Sequence, residues 1–437
     1  MNGSVEAMER VIPPMDHYES RVVDAELDEL LAGLPAISLE GPKGVGKTAT
    51  AERRANTIFR LDDPGTLEVV QADIRQLTTG SEPILIDEWQ RHEPSWDVVR
   101  RSVDEDHRSG RFLLTGSATP SRIATHSGAG RIVRLRVRPL TLAERGVTTP
   151  SVSLAELVTG DQPEIGGTSS MRLNEYVTEI LAGGFPAMRV ASERLRRRAL
   201  DGYLDRIVDT DLPELGIEIR RPATLRRWMT AYAAATATTA SYEKIRDAAT
   251  AGIDAKPAKS TTIPYRDALE RLWILDPLEA WIPTNNHLNR LAAAPKHHLA
   301  DPALAPRLIG LDARALLAGD GPTAVPRDGT FLGALFESLA TLSVRVFAQA
   351  ADSRVFHLRT MGGEHEVDLI VERDDKRCVA IEVKLSETVS DRDVAQLLWL
   401  RRTLGAQLLD AVVITTGQHA YRRPDGIAVV PLALLGP

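Results

Sequence analysis

Residues 41–48 read GPKGVGKT, set between a strand-like PAISLE and a helix-like TATAERRA. That succession leaves the chain few ways to fold. Gly41, Gly44 and Gly46 let the backbone turn tightly, so that its N–H groups converge on a small anion at the positive end of the following helix. The pattern GxxxxGK[ST] in this strand-to-helix setting predicts a nucleotide site built from Gly41, Pro42, Lys43, Gly44, Val45, Gly46, Lys47, Thr48 and Ala49. Lys47 is placed to reach the β- and γ-phosphates, and the Thr48 hydroxyl to ligate Mg²⁺.

A second stretch supplies what such a loop needs for catalysis. PILIDEWQR ends an apolar strand on Asp87 and Glu88. Asp87 can hold the Mg²⁺ water shell and Glu88 can polarise the attacking water, whereas alone the pair would read as an acidic helix cap. The next strand, RFLLTGSA, ends in Thr115 and Ser117, either of which can orient the water or sense the γ-phosphate. In GAGRIVRLRVRPL, Arg134, Arg136 and Arg138 alternate with Val133, Leu135 and Val137, as on a solvated strand face. Arg131, just after a glycine-rich turn, is the candidate arginine finger, acting in cis or on a neighbour's nucleotide.

At 437 residues the chain exceeds a single ordinary core. Strands and helices alternate through residues 1–150, as in a parallel sheet wrapped by helices. The Thr-, Ser-, Gly- and Pro-rich TTPSVSLAELVTGDQPEIGGTSS reads as an exposed connection or insertion. Residues 151–310 are helix-dominated, and SYEKIRDAATAGIDAKPAKSTTIPYRDALERLWIL has the order of a winged helix-turn-helix. That module either contacts DNA through Lys259, Ser260, Thr261 and Arg266 or only packs domains together. Residues 311–437 return to mixed strands and helices. The lone Cys378 excludes an intrachain disulfide and a thiolate zinc cage, and its strand-like neighbours predict burial. A net charge of −7 argues against a chain that coats nucleic acid over its whole surface. Without an apolar N-terminal run or a sufficiently long uninterrupted apolar segment, a cytoplasmic, non-membrane location is expected.

The late stretch EVDLIVERDDKRCVAIEVK places charges inside two strand-like runs. If the runs are neighbouring strands joined at RDDK, period-two geometry projects Asp368, Glu382 and Lys384 to one side. Two carboxylates there make a hard-oxygen site for Mg²⁺, and a lysine beside them can orient water and stabilise a scissile phosphate. Glu337, in the helical GALFESLATLSVRVF, adds a further acid, and Gln396 on the covering helix DRDVAQLLWLRRTLG can face the site. The bland reading is a half-exposed sheet whose carboxylates pair with Lys384 and nearby arginines.

Taken in order, GPKGVGKT, LIDEWQR, LLTGSA, GRIVRLRVRPLTLAE, AGGFP, KHHLADPALA, GALFESLA, EVDLIVE and AIEVKLSE span nearly the whole chain. The sequence resembles AAA-type P-loop ATPases that carry a large C-terminal domain of unknown function ending in a restriction-endonuclease-like, PD-(D/E)xK fold. Lys43 stands where that family often has Arg, which keeps the charge. The resemblance implies an α/β architecture in three parts: an AAA-type ATPase domain, a helical and winged-helix middle, and a nuclease-like α/β domain. It further implies ATP and Mg²⁺ as cofactors, ATP hydrolysis, self-association through the ATPase domain, and a role in handling DNA; the leading expectation is an ATPase whose C-terminal region binds or cuts DNA, branched DNA included. The alternative is a nucleotide-operated switch whose nuclease-like scaffold carries no chemistry.

Overall fold

The computed structural model describes residues 18–117, 130–217, 219, 221–250, 259–281, 293–318, 329–360 and 362–437. The chain divides into two compact units, Met1–Val137 and Arg138–Pro437.

The first unit is built on one parallel sheet: β1 (Ala36–Glu40), β2 (Thr57–Arg60), β3 (Ile84–Asp87), β4 (Phe112–Gly116) and β5 (Ile132–Arg136), in the order β2-β3-β4-β1-β5. Every residue of β1, β3 and β4 is buried, as strands covered on both faces must be. The helices are α1 (Val23–Gly33), α2 (Lys47–Glu52), α3 (Pro64–Ala72) and α4 (Pro94–Glu105). Val70 of α3 and Trp96, Val99 and Val103 of α4 join Ile84, Ile86, Phe112 and Leu114 in one apolar core. Asp63 starts α3 by accepting the Thr66 N–H at 2.9 Å, with Pro64 in the first turn.

The stretch after residue 148 is only partly the exposed segment expected: residues 161–170 are mostly exposed, but β6 (Val152–Ser153) pairs with the last strand of the chain, and Leu154, Leu157 and Val158 of the helical turn behind it are buried. The apolar residues of SVSLAELV cover core here, which outweighs the surrounding Ser and Thr. Helices α5 (Leu173–Ala182), α6 (Glu193–Arg206), α7 (Pro222–Ala234), α8 (Tyr242–Ala249) and α9 (Lys259–Arg271) follow. The AGGFP and ADPALA landmarks meet here, because the buried Asp301 carboxylate accepts the N–H groups of Gly184 at 2.6 Å and Ala303 at 2.8 Å.

Beyond α9 the backbone at Leu275–Leu278 pairs antiparallel with Lys296–Leu299, and Leu278 and Lys296 exchange both N–H···O bonds at 2.8 Å. This short ladder feeds β7 (Ala280–Trp281), the edge of a sheet with β8 (Arg354–Arg359), β9 (Glu366–Glu372), β10 (Cys378–Val383), β11 (Leu408–Thr415), β12 (Tyr421–Arg422) and β13 (Ala428–Pro431). The order is β12-β13-β11-β10-β9-β8-β7, with β8, β9 and β10 antiparallel and β10, β11 and β13 parallel. The closing strand β14 (Leu435–Gly436) is the partner of β6. Cys378 is buried in β10, and burial pushes its thiol up to about 12.

Two further helices, α10 (Gly329–Ala350) and α11 (Asp391–Leu404), pack on this sheet. Phe331–Ala350 is long and apolar enough to cross a membrane, which the sequence reading did not expect. Of its most apolar window, 72% is buried inside the fold, where it acts as a core helix.

Candidate functional site

Gly46 (φ 96°) ends the glycine-rich loop in a left-handed turn, and α2 begins at the next residue. Gly41 has no room for a side chain, since a Cβ there would lie 2.1 Å from the Val137 carbonyl oxygen. The loop is also held from outside, because the buried Arg21 guanidinium donates to the Val45 carbonyl at 2.8 Å.

Lys47 is only 5% exposed, and its ammonium donates to the Gly41 and Pro42 carbonyls, each at 2.8 Å. Burial pulls it down to about 8, opposed by Glu88 and Asp87 and assisted by Arg136. A buried ammonium whose hydrogen bonds go to loop carbonyls can exchange them for the oxygens of an anion. The Thr48 hydroxyl donates to Asp87 Oδ1 at 2.8 Å, and the Thr115 hydroxyl donates to the same oxygen. A hydroxyl and a carboxylate converging beside that ammonium are the hard-oxygen set a Mg²⁺–triphosphate requires, so the residues present fit both groups.

Glu88 stands just past the end of β3 with φ 54°, a left-handed conformation that a non-glycine residue holds only under surrounding constraint. Ser117 Oγ donates to its Oε1 at 2.9 Å, and Gln90 Nε2 to its Oε2 at 2.6 Å. Lys47, Thr48, Asp87, Glu88, Thr115 and Ser117 thus gather at the carboxyl ends of β1, β3 and β4, the edge where ligands of parallel sheets bind.

Arg131 is not among them. It precedes Ile132, the register partner of Ala36 at the start of β1, whereas the loop leaves from Glu40 at the other end. Strand rise alone puts those ends about 13 Å apart, and Arg131 pairs with Asp104 at 2.7 Å. The expected action in cis is ruled out by strand direction. The arginine at the loop's end of the sheet is Arg136, the register partner of Glu40, whose charge acts on both Glu40 and Lys47. The alternation read as a solvated face holds for Arg134, which is exposed, while Arg138 pairs with Asp276 at 3.0 Å.

In the second unit, antiparallel pairing sets Ile381 opposite Leu369, so the next pair outward is Glu382 and Asp368. Lys384 Nζ donates to Glu382 Oε2 at 2.8 Å, and the Val383 N–H donates to Asp368 Oδ2 at 2.9 Å. Glu337 reaches the same place from α10. Between Glu337 and Asp368 lies a residue sequence reasoning missed: Lys296, 1% exposed, donates to Glu337 Oε1 at 2.7 Å and Asp368 Oδ1 at 3.1 Å, with Glu366 Oε1 at 3.7 Å.

Burial pulls the Lys296 ammonium down, but Asp368 and Glu337 more than offset it and hold it above its ordinary value. Burial, reinforced by Asp368, raises Glu337 to about 8 and Glu382 well above the usual carboxylate range. Asp368 stays low despite burial, held there by Lys296 first and Lys384 second. The carboxylates expected to hold Mg²⁺ are therefore assembled around an ammonium. Among the described residues no group of three or more His, Cys, Asp and Glu side chains is arranged to hold a metal ion, and this cluster does not fit one.

Gln396 does not bond to the cluster. Its Oε1 meets His365 Nδ1 at 2.8 Å, and His365 stacks on Trp399 with ring centroids 3.7 Å apart. Arg266, expected at a DNA surface, pairs with Asp267 at 2.9 Å and lies 4.8 Å over the Tyr242 ring. The side chains of Lys259, Ser260 and Thr261 lie outside the described residues.

Comparison with known proteins matches residues 34–145 to an AAA domain, residues 173–315 to the domain of unknown function DUF8612, and residues 332–435 to the domain of unknown function DUF4143. The uncharacterized proteins Rv2008c of Mycobacterium tuberculosis and Mb2031c of Mycobacterium bovis are each 27% identical over 421 residues, covering 94% of this chain and 83% of theirs. Among solved structures, the Walker-type ATPase PABY2304 of Pyrococcus abyssi aligns at TM-score 0.37 and 16% identity, over 65% of this chain and 94% of that one. The ORC2 protein of Aeropyrum pernix aligns at TM-score 0.32 and 16% identity, over 69% and 94%. The AAA match lies over the loop, β3 and β4, so the N-terminal unit has an AAA-type, P-loop ATPase-like fold.

Proposed function

We propose that this chain is a Mg²⁺-dependent ATP hydrolase that acts on DNA, branched DNA included, by remodelling it rather than cutting it. The observation that carries the ATPase part is the convergence of Thr48, Thr115 and Asp87 beside the buried Lys47 ammonium, with Glu88 held by Ser117 and Gln90 at the same strand edge. Thr48 and, through its water shell, Asp87 would hold a Mg²⁺ ion, which would supply charge neutralisation on the β- and γ-phosphates. Lys47 grips the terminal phosphates in exchange for its two loop carbonyls. Glu88, aimed by Ser117 and Gln90, takes a proton from the attacking water. Arg136, at the same end of the sheet, adds positive charge beside the phosphates.

DNA as the partner rests on the resemblance and on the middle region, where α7, α8 and α9 followed by a short antiparallel ladder have the order of a winged helix. Self-association through the ATPase domain and a cytoplasmic location belong to the same reading. The part without cleavage rests on Lys296 among the carboxylates. The test is ATP hydrolysis and strand rearrangement on linear, forked and four-way DNA, with Mg²⁺ present. Hydrolysis is expected to rise with branched DNA, and the DNA to be rearranged yet full-length, with rearrangement lost in Lys47→Ala. Cleavage that disappears in Asp368→Ala would overturn the remodelling reading in favour of a nuclease. Turnover indifferent to every DNA would leave a nucleotide-operated switch.

A further inference from the structure

We propose that the Lys296 ammonium is the resident cation of the C-terminal carboxylate cluster, standing where a D…ExK centre would hold a divalent metal and keeping that metal out. The proposal deepens the remodelling reading above, because it explains how a nuclease-like arrangement can be kept without cleavage.

The geometry is that of an occupied site. Lys296 Nζ has Glu337 at 2.7 Å and Asp368 at 3.1 Å, and the second oxygen of Asp368 is taken by the Val383 N–H. Glu382 is engaged by Lys384 at 2.8 Å. A Mg²⁺ ion needs oxygens at about 2.0–2.1 Å in near-octahedral array, and it would meet a like charge at the centre of the cluster. Expelling Lys296 would leave a full charge in a position that is 1% exposed, at the high cost of an unpaired buried ion.

The ladder fixes where the Lys296 side chain starts from. Its backbone is pinned by both ladder bonds to Leu278, and Asp276 on the same ladder is held by Arg138 and Arg345. The His298 imidazole, two residues on and buried, has its Nδ1 3.3 Å from the Ser338 hydroxyl. The ammonium therefore fastens the ladder after α9 to the end of β9 and to α10, three elements far apart in sequence.

The test is Mn²⁺ binding to the nucleotide-free full-length chain, followed by electron paramagnetic resonance and by the melting temperature. Wild type is expected to show no Mn²⁺ that Asp368→Asn removes. Lys296→Ala is expected to melt lower, to gain a bound Mn²⁺, and to recover part of its melting temperature when Mn²⁺ is added. Both gains should vanish in the Lys296→Ala, Asp368→Asn double variant. Wild type binding Mn²⁺ in a manner abolished by Asp368→Asn overturns the proposal, and this arm stands even if Lys296→Ala does not fold. A folded Lys296→Ala that takes no Mn²⁺ overturns it as well. Neither readout depends on ATP turnover, so failure here is distinguishable from failure of the ATPase assignment.

Discussion

At the residue scale, the most informative side chains are those the fold holds against their own preference. Glu88 adopts a left-handed backbone although it has a Cβ, and the hydroxyl and amide that grip its two oxygens show what the strain secures: a carboxylate with one orientation. His357 is a quieter case. It is 1% exposed, its Nε2 faces the Ala294 carbonyl at 3.1 Å, and burial, with Lys296 and Arg359 assisting against Asp368, lowers it to about 4. The folded protein thus binds this proton less readily than the unfolded chain does. The associated stability is complete above pH 6.5 and is lost as the pH falls toward 4, with about 2 kcal/mol going between pH 7 and pH 5. Urea unfolding of wild type and His357→Gln at the two pH values checks this. The glutamine can still meet Ala294 but cannot titrate, so its pH-linked loss should be smaller by that amount, and equal losses would refute the assignment.

At the element scale, strand order decided what was legible. The phosphate loop, β3 with its terminal acids and β4 with its hydroxyls each carry local patterns, buried runs that end in chemistry, and these could be read in isolation. The edge strand β2 carries none, being four half-exposed or exposed residues. The placing of Arg136 and Arg131 was not legible for another reason: which end of β5 meets the loop depends on its pairing with β1, and nothing local encodes it. The same pairing gives a prediction. Because the backbone after β5 crosses Gly41, Gly41→Ala should force the loop from the Val137 carbonyl. Overpacking of this kind costs about 1–3 kcal/mol, so thermal unfolding should fall accordingly and nucleotide binding should weaken. Unchanged melting and binding would show that the loop has slack that its contacts deny.

At the scale of the whole molecule, the two units differ in how their charges are settled. In the first, the buried Lys47 ammonium donates to loop carbonyls, with Glu88 and Asp87 only acting on it by charge, and it gains most from a ligand's negative charge. In the second, Lys296 is already matched by carboxylates. Period-two spacing made Asp368, Glu382 and Lys384 readable as one cluster. Lys296, 72 residues before Asp368, was visible only as part of the KHHLADPALA landmark, because its place is set by a ladder that the sequence does not announce. The claim on which the rest depends is that the first unit captures and hydrolyses ATP. The most direct measurement is nucleotide retention together with phosphate release, made side by side on wild type and Glu88→Gln with Mg²⁺. Wild type should release phosphate and Glu88→Gln should hold ATP while releasing it at least about a hundredfold more slowly. Equal release from both, or failure of either to retain adenine nucleotide, would contradict it.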